Sequence, residues 1–314
     1  MTEDERYVAV AACKWVDEVV RDVPYVMNQE YLEMIFEKYK IDYVVHGDDP
    51  CLLPDGTDVF ATAKAAGRFK TIKRTEGVST TDIVGRMLLM TKDHFRNPSK
   101  DAIAAGYHHR ADGASSEDWE TASTGSSDFL PTARRINQFS SGKTPKSGDV
   151  IVYIDGAWDM FHAGHIDILK VGLFSGDFLI VGVHTDQVVN EHRGSNYPIL
   201  NLHERVLSVL SCKYVDEVIF GAPWKLTKDL IVSMNINVIA YGEVGDSERQ
   251  DNPYEVGQNM PNVRVVPLKS TRKLTTADIV DRILKQKIEF ETKFNKKNKK
   301  EKDYLEQKGF VQEV

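Results

Sequence analysis

Asp155-Gly156-Ala157-Trp158-Asp159-Met160-Phe161-His162-Ala163-Gly164-His165 follows directly on the apolar run Val150-Ile151-Val152-Tyr153-Ile154, and the join between them decides the fold. The run reads as a strand buried on both faces, and the loop after it leads straight into a helical pattern near His165 to Leu173. Such a junction gathers backbone N–H groups and the positive end of a helix dipole at one point, which suits a polyphosphate. Gly156 and Gly164 would let the backbone approach it without a Cβ in the way. Two histidines three positions apart near a helix start can point to one side, each offering an N–H to a phosphate oxygen. In attack on an α-phosphorus, negative charge builds on the bridging oxygen and the departing pyrophosphate. His162 and His165 are therefore the candidate catalytic residues, as stabilisers of the leaving group rather than as bases. The competing reading, two ordinary structural histidines, suits a lone histidine on an apolar face better than a pair framing a glycine at this junction.

Outward from this join, further strands are expected at 178–183, 215–220, 238–241 and 263–267, with helices near 203–210, 226–234 and 275–284. Strand, helix, strand in that order implies right-handed crossovers and a Rossmann-like parallel sheet covered on both faces, an α/β fold. Ligands of such sheets bind at the carboxyl ends of the strands.

The chain also repeats itself. Glu5 to Tyr25 aligns with Glu204 to Trp224 at an offset of 199 (204 − 5), and ten of the 21 aligned positions are identical, among them Cys13-Lys14 with Cys212-Lys213. Ser79-Thr80 and Asp82-Ile83-Val84 then run parallel to Thr275-Thr276 and Asp278-Ile279-Val280 at an offset of 196 (275 − 79). The period is too long for a solenoid and indicates two α/β domains in tandem. The partner of His162 would fall at 162 − 199 = −37, so residues 1–94 are expected to hold an N-terminally truncated first domain. Its elements would be helices near 5–12, 30–39 and 81–90 and strands at 16–20 and 41–45, with sheet edges left open. Residues 95–148, rich in Ser, Gly, Thr and Asp, read as a linker; 149–290 form the second domain and 291–314 a charged tail. His108-His109 in the linker lacks neighbouring ligands and is read as a solvated pair, not a metal site. The lysines of the tail fit a solvated helix better than a site for anionic membrane surfaces, leaving at most weak membrane-surface contact.

Composition bounds the partners. A net charge of −7 and a pI near 5.8 argue against nucleic acid. Three scattered cysteines, with neither an 18-residue apolar span nor a leader-like start, suggest a protein of the reducing cytoplasm.

His162-Ala163-Gly164-His165 resembles the HxGH motif of the cytidylyltransferases, and Arg74-Thr75-Glu76-Gly77-Val78-Ser79-Thr80-Thr81-Asp82 resembles their second signature, RTxGxSTT. The second motif also makes physical sense as an anion site: Arg74 offers a charged fork, Gly77 a sharp turn, and Ser79, Thr80 and Thr81 hydroxyl and backbone donors, although a capped helix start would explain part of it. The first domain keeps this motif without HxGH. The second keeps HxGH with a looser counterpart, Ser270-Thr271-Arg272-Lys273-Leu274-Thr275-Thr276, that lacks the glycine. The resemblance implies a CTP site in the second domain made of Ala157, Trp158, His162, Ala163, Gly164, His165, Arg193, Tyr241, Gly242, Glu243, Val244, Arg272, Lys273, Leu274, Thr275 and Thr276. In the first it implies a remnant site at Gly47, Asp48, Arg74, Gly77, Ser79, Thr80 and Thr81. Arg193 stands where the family generally has a phosphate-binding lysine. Arg205 reads equally as a phosphate ligand or as a structural ion pair, and Asp155 could meet magnesium through water.

The tandem arrangement is similar to the branch of the family acting on phosphoethanolamine. It implies formation of CDP-ethanolamine and diphosphate for phosphatidylethanolamine synthesis, with Mg2+ delivered by CTP and no dedicated metal site. A second reading is a CTP-binding, catalytically silent form that pairs with a full-length enzyme or regulates it, and a homodimer is a further possibility. A third is a nucleotidyltransferase using ATP or another phosphorylated alcohol, which explains the repeat less well. Peripheral contact with the endoplasmic reticulum would fit the lipid pathway.

Overall fold

The computed structural model describes residues 1–73, 80–89, 143–243 and 252–286. The chain divides into two compact units, one of residues 18–80 and one that joins 1–17 to 81–314. The units thus cut across the boundary expected at residue 94, because both ends of the first copy belong with the second copy.

In the larger unit, strands β3 (Ile151–Gly156), β4 (Phe178–Val183), β5 (Glu217–Phe220), β6 (Val238–Gly242) and β7 (Arg264–Leu268) form one parallel sheet in the order β5-β4-β3-β6-β7. β3 lies between β4 and β6, so the order reverses at its edge and opens a crevice at its carboxyl end. Alternation along β3 feeds two cores: Val152 and Ile154 join Leu179, Val181 and Ala240 on one face, while Ile151 and Tyr153 join Phe178, Ile180 and Ile239 on the other. Helices α5 (Ala163–Leu173), α6 (Asp186–Arg193), α7 (Leu202–Leu210), α8 (Lys228–Ser233), α9 (Glu255–Gln258) and α10 (Thr276–Lys285) connect or follow the strands. All five expected strands and four expected helices of this domain are present. α6 was not expected from the sequence: it is strongly polar and buries only Val189, so its N-cap, Thr185, was the usable signal.

The smaller unit pairs β1 (Val44–Gly47) with β2 (Phe69–Ile72) in parallel, beside α2 (Gln29–Tyr39) and α3 (Ala61–Ala65). Leu32, Ile35, Val44 and Ala63 are its core. The strand expected at 16–20 is absent, and those residues are irregular chain with a bend at Asp17. Their counterpart in the second copy, β5, is held by its ladder to β4. No strand among the described residues stands beside 16–20, and without a partner an extended segment gains no ladder bonds.

α1 (Glu3–Ala11) and α4 (Thr80–Leu89) repeat α7 and α10 at the offsets 199 and 196, and the larger unit brings these helices together about a local two-fold. Cys13 bridges to Cys212 antiparallel, with Lys14 N–H donating to Ser211 O and Lys213 N–H to Ala12 O, both at 2.8 Å. Arg282 donates to both carboxylate oxygens of Glu5 at 2.9 Å. The same pair with the copies exchanged, Arg86 with Glu204, is at 2.8 and 3.1 Å. Ala12 enters the main core, and Met87 packs with Ile199, Ile279 and Val280. Burying a side chain the size of Met87 contributes about 1.5–3 kcal/mol.

Candidate active site

The loop between β3 and α5 is held in a strained shape. Trp158 and Met160 adopt φ of +54° and +55°, a conformation that costs a non-glycine residue on the order of 1 kcal/mol or more. Four hydrogen bonds help to hold it. The Trp158 indole N–H donates to Gly182 O at 2.8 Å, the buried Asp159 carboxylate accepts from Ile199 N–H at 2.7 Å and Leu200 N–H at 2.9 Å, and Thr276 Oγ1 donates to Asp159 O at 2.9 Å. Thr275 and Thr276, expected at the CTP site, are thus engaged within the protein, Thr276 with Asp159 O at 2.9 Å and Thr275 with Asp278 at 2.7 Å.

The two glycines do not simply clear a path to a ligand. A Cβ on Gly164 would lie 2.5 Å from Leu274 O, so this glycine lets the Ser270–Thr276 loop close on the start of α5. A Cβ on Gly156 would lie 3.2 Å from the Trp158 ring.

His162 caps α5 and His165 stands in its first turn. Their rings stack with centroids 3.7 Å apart and planes 19° apart. His165 Nδ1 accepts from His162 N–H at 3.4 Å, which leaves its proton on Nε2. His162 Nδ1 is buried and has no hydrogen-bond partner among the described residues. Burial pushes His162 down to about 4 and His165 well below the usual histidine range, with neighbouring His162 and Arg193 lowering His165 further. Both are therefore neutral donors at pH 7.

At the carboxyl end of β3 lies a cavity of about 100 Å³, lined by Asp155, Ala157, Trp158, His165, Arg193 and Gly242 among others. That is small beside the roughly 300 Å³ at which small-molecule sites begin. His192 and Trp224, stacked at 3.6 Å, also line it. A separate cavity of about 480 Å³ is lined by Glu5, Arg272, Lys273, Leu274, Asp278 and Arg282. The expected CTP residues thus divide between two cavities. His162 feels both, since Glu5 and Asp278 raise its pKa while Arg193 lowers it.

The remaining expected positions have other surroundings. Ala163 is buried in α5, Tyr241 stacks on Tyr254 at 5.3 Å, and Glu243 pairs with Lys269 at 3.6 Å. Arg272 lies 3.4 Å from Asp167. Val244, Arg74, Gly77 and Ser79 fall outside the described residues, as do His108-His109 and the tail from 291. In the first copy Gly47 ends β1 with Asp48 next in sequence, while Thr80 and Thr81 open α4.

Arg205 is resolved as a structural group, fully buried and donating to Ala157 O (2.6 Å), His184 O (2.8 Å), Leu200 O (3.0 Å) and Asp186 (2.6 Å). Sequence reasoning missed Tyr254, whose hydroxyl donates to Asp155 at 2.7 Å across 99 residues of chain. It also passed over His184, His192 and Trp224. Trp224 ends the aligned repeat opposite Tyr25, and that aromatic pair was the available signal. Among the described residues Asp155 is the only carboxylate lining the smaller cavity. Among the described residues no group of three or more His, Cys, Asp or Glu could hold a metal ion. Nor is any described helix long and apolar enough to cross a membrane.

A parallel sheet with a donor-rich strand-to-helix junction at its switch point defines a nucleotidyltransferase-type protein, and a Cytidylyltransferase-like family model matches residues 1–86 and 153–292. Ethanolamine-phosphate cytidylyltransferase of Arabidopsis thaliana is 49% identical over 98% of this chain and 74% of its own length. The enzyme of that name from Mus musculus is 41% identical over 97% of this chain and 79% of its own. Human choline-phosphate cytidylyltransferase A is 34% identical over 49% of the chain and 42% of its own. The chain belongs to the ethanolamine-phosphate cytidylyltransferase family.

Proposed function

We propose that the second copy transfers the cytidylyl group of CTP to phosphoethanolamine, giving CDP-ethanolamine and diphosphate. The stacked, neutral pair His162 and His165 at the start of α5 carries this reading. Each can donate to phosphate oxygens without first losing a proton, and their donation strengthens as charge grows on the leaving pyrophosphate. Arg193, exposed at the end of α6, adds a cation to the cavity wall. The phosphate oxygen of phosphoethanolamine is the nucleophile and needs no general base near neutral pH, where it is already ionised. Asp155, held by Tyr254, is the carboxylate placed to attract an ammonium group or magnesium arriving with CTP. Mg2+ bound chiefly by phosphates needs only one or two protein carboxylates, a number that Asp155 would begin to supply. When bound, magnesium would neutralise phosphate charge. On this reading the chain works in the cytoplasm, supplies an activated headgroup for phosphatidylethanolamine synthesis, and meets the endoplasmic reticulum, if at all, at its surface.

The test incubates the purified chain with CTP, magnesium and phosphoethanolamine beside a His162→Ala, His165→Ala double variant. CDP-ethanolamine formed only by the unmodified chain is the expected result. No product above the variant would defeat the enzymatic reading, and product from phosphocholine alone would defeat the substrate assignment.

A further inference from the structure

Cys13 and Cys212 occupy the same position of the two copies, 199 residues apart (212 − 13), and face each other across the local two-fold as an antiparallel bridge. The bonds Lys14 N–H to Ser211 O and Lys213 N–H to Ala12 O, both 2.8 Å, flank the two cysteines symmetrically. In that pattern the central residues form a non-hydrogen-bonded pair, with Cα atoms about 4.5 Å apart and side chains on the same face. A disulfide spans Cα separations of about 4.4–6.8 Å, so side-chain rotation is enough to bring the two sulfurs together. Both thiols are free, Cys212 buried and Cys13 half-buried. The proposed reaction of the second copy uses neither.

We propose that Cys13 and Cys212 form a dithiol pair that a low-molecular-weight disulfide converts to an intramolecular disulfide, a covalent staple between the two copies. Cys13, the more accessible, loses its proton and its sulfur attacks one sulfur of the oxidant. The oxidant's S–S bond breaks, and one small thiolate leaves and takes up a proton. The Cys212 sulfur, on losing its proton, then attacks the Cys13 sulfur of this mixed disulfide, forming the Cys13–Cys212 bond and releasing the second small thiol. The two cysteines lose two electrons and two protons, which the oxidant gains. Burial holds the Cys212 thiol up at about 11, so this second step is slow and draws its rate from proximity. The remaining cysteine, Cys51, lies in the smaller unit, its sulfur 3.6 Å from the Tyr25 hydroxyl.

The full chain carrying Cys51→Ser is incubated with glutathione disulfide at about pH 8.5, then analysed by intact mass, peptide mapping and thermal unfolding. The expected product has lost two hydrogens, yields one linked peptide pair containing positions 13 and 212, and unfolds on the order of 5–10 °C higher until dithiothreitol is added. Cys13→Ser in the same background abolishes all three changes while leaving the reduced chain folded. A persistent glutathione adduct on Cys13, disulfide-linked dimers, or thiols still free after the oxidant has consumed an exposed model thiol would each overturn the proposal. None of these readouts depends on the chemistry of the CTP site.

Discussion

Replacing Arg205 by leucine removes a buried cation whose donors fasten three loops around the site. Ala157 O, His184 O and Leu200 O would each lose the guanidinium hydrogen bond that the structure shows for them. An orphaned buried acceptor costs about 1–3 kcal/mol, and breaking a buried charged network typically costs about 3–5 kcal/mol in all. Asp186, 41% exposed, returns to water and adds little. The expected loss is therefore about 3–5 kcal/mol, a large share of an ordinary domain's stability. The repeat supplies an internal control: Arg6 is the residue equivalent to Arg205, but it is exposed and its guanidinium donates to Met1 O at 3.1 Å. Arg6→Leu should change stability by no more than about 0.5 kcal/mol. Urea unfolding followed by tryptophan fluorescence measures both, and equilibrium CTP binding reports the loops. Because Ala157 and His184 line the cavity, Arg205→Leu should weaken CTP binding even where the chain remains folded. A loss below about 1 kcal/mol, or equal losses at the two arginines, would refute the argument that loop carbonyls rather than charge make this residue matter.

Other outcomes can be checked directly. His162 has a folded pKa of about 4 against about 6.5 unfolded, so the unfolded chain takes the proton first and stability falls as pH drops from 6.5 through 4. Unfolding titrations should show His162→Gln spared a penalty that approaches about 3 kcal/mol below pH 4. Gly164→Ala places a methyl group 2.5 Å from Leu274 O, and denaturant melts should show a loss of about 1–3 kcal/mol together with impaired CTP binding. A double-mutant cycle on Glu5 and Arg282 should give a coupling of about 0.5–1 kcal/mol that shrinks with salt, since Arg282 is 44% exposed. The cycle on Arg86 and Glu204 should give a similar value because the geometry is repeated.

What the sequence revealed follows the range of the forces involved. Strands β3, β4 and β6 are continuous apolar runs, and burial on both faces of a parallel sheet demands such runs whatever lies around them. The strand expected at 16–20 has the right residues, but a ladder partner is a property of the neighbouring chain, not of the segment itself. The histidine pair could be read because its context, strand, glycine and helix start, is local. Arg205 could not be decided from sequence because its four acceptors come from Ala157, His184, Asp186 and Leu200, brought together only by the fold. The same holds for the Asp155–Tyr254 contact. Gly164 matters for its missing Cβ, as the motif implies, yet the neighbour that needs the space is Leu274 O from the far end of the domain.

The seam at Cys13 and Cys212 has a consequence for dilution. If α1 and α4 belonged to a separate molecule, they would part from α7 and α10 as the concentration fell. Within one chain the two halves of the seam meet intramolecularly, at an effective concentration that dilution does not change. The midpoint of unfolding should then be the same at nanomolar and micromolar protein, and the reciprocal pairs Glu5–Arg282 and Arg86–Glu204 need supply no more than register.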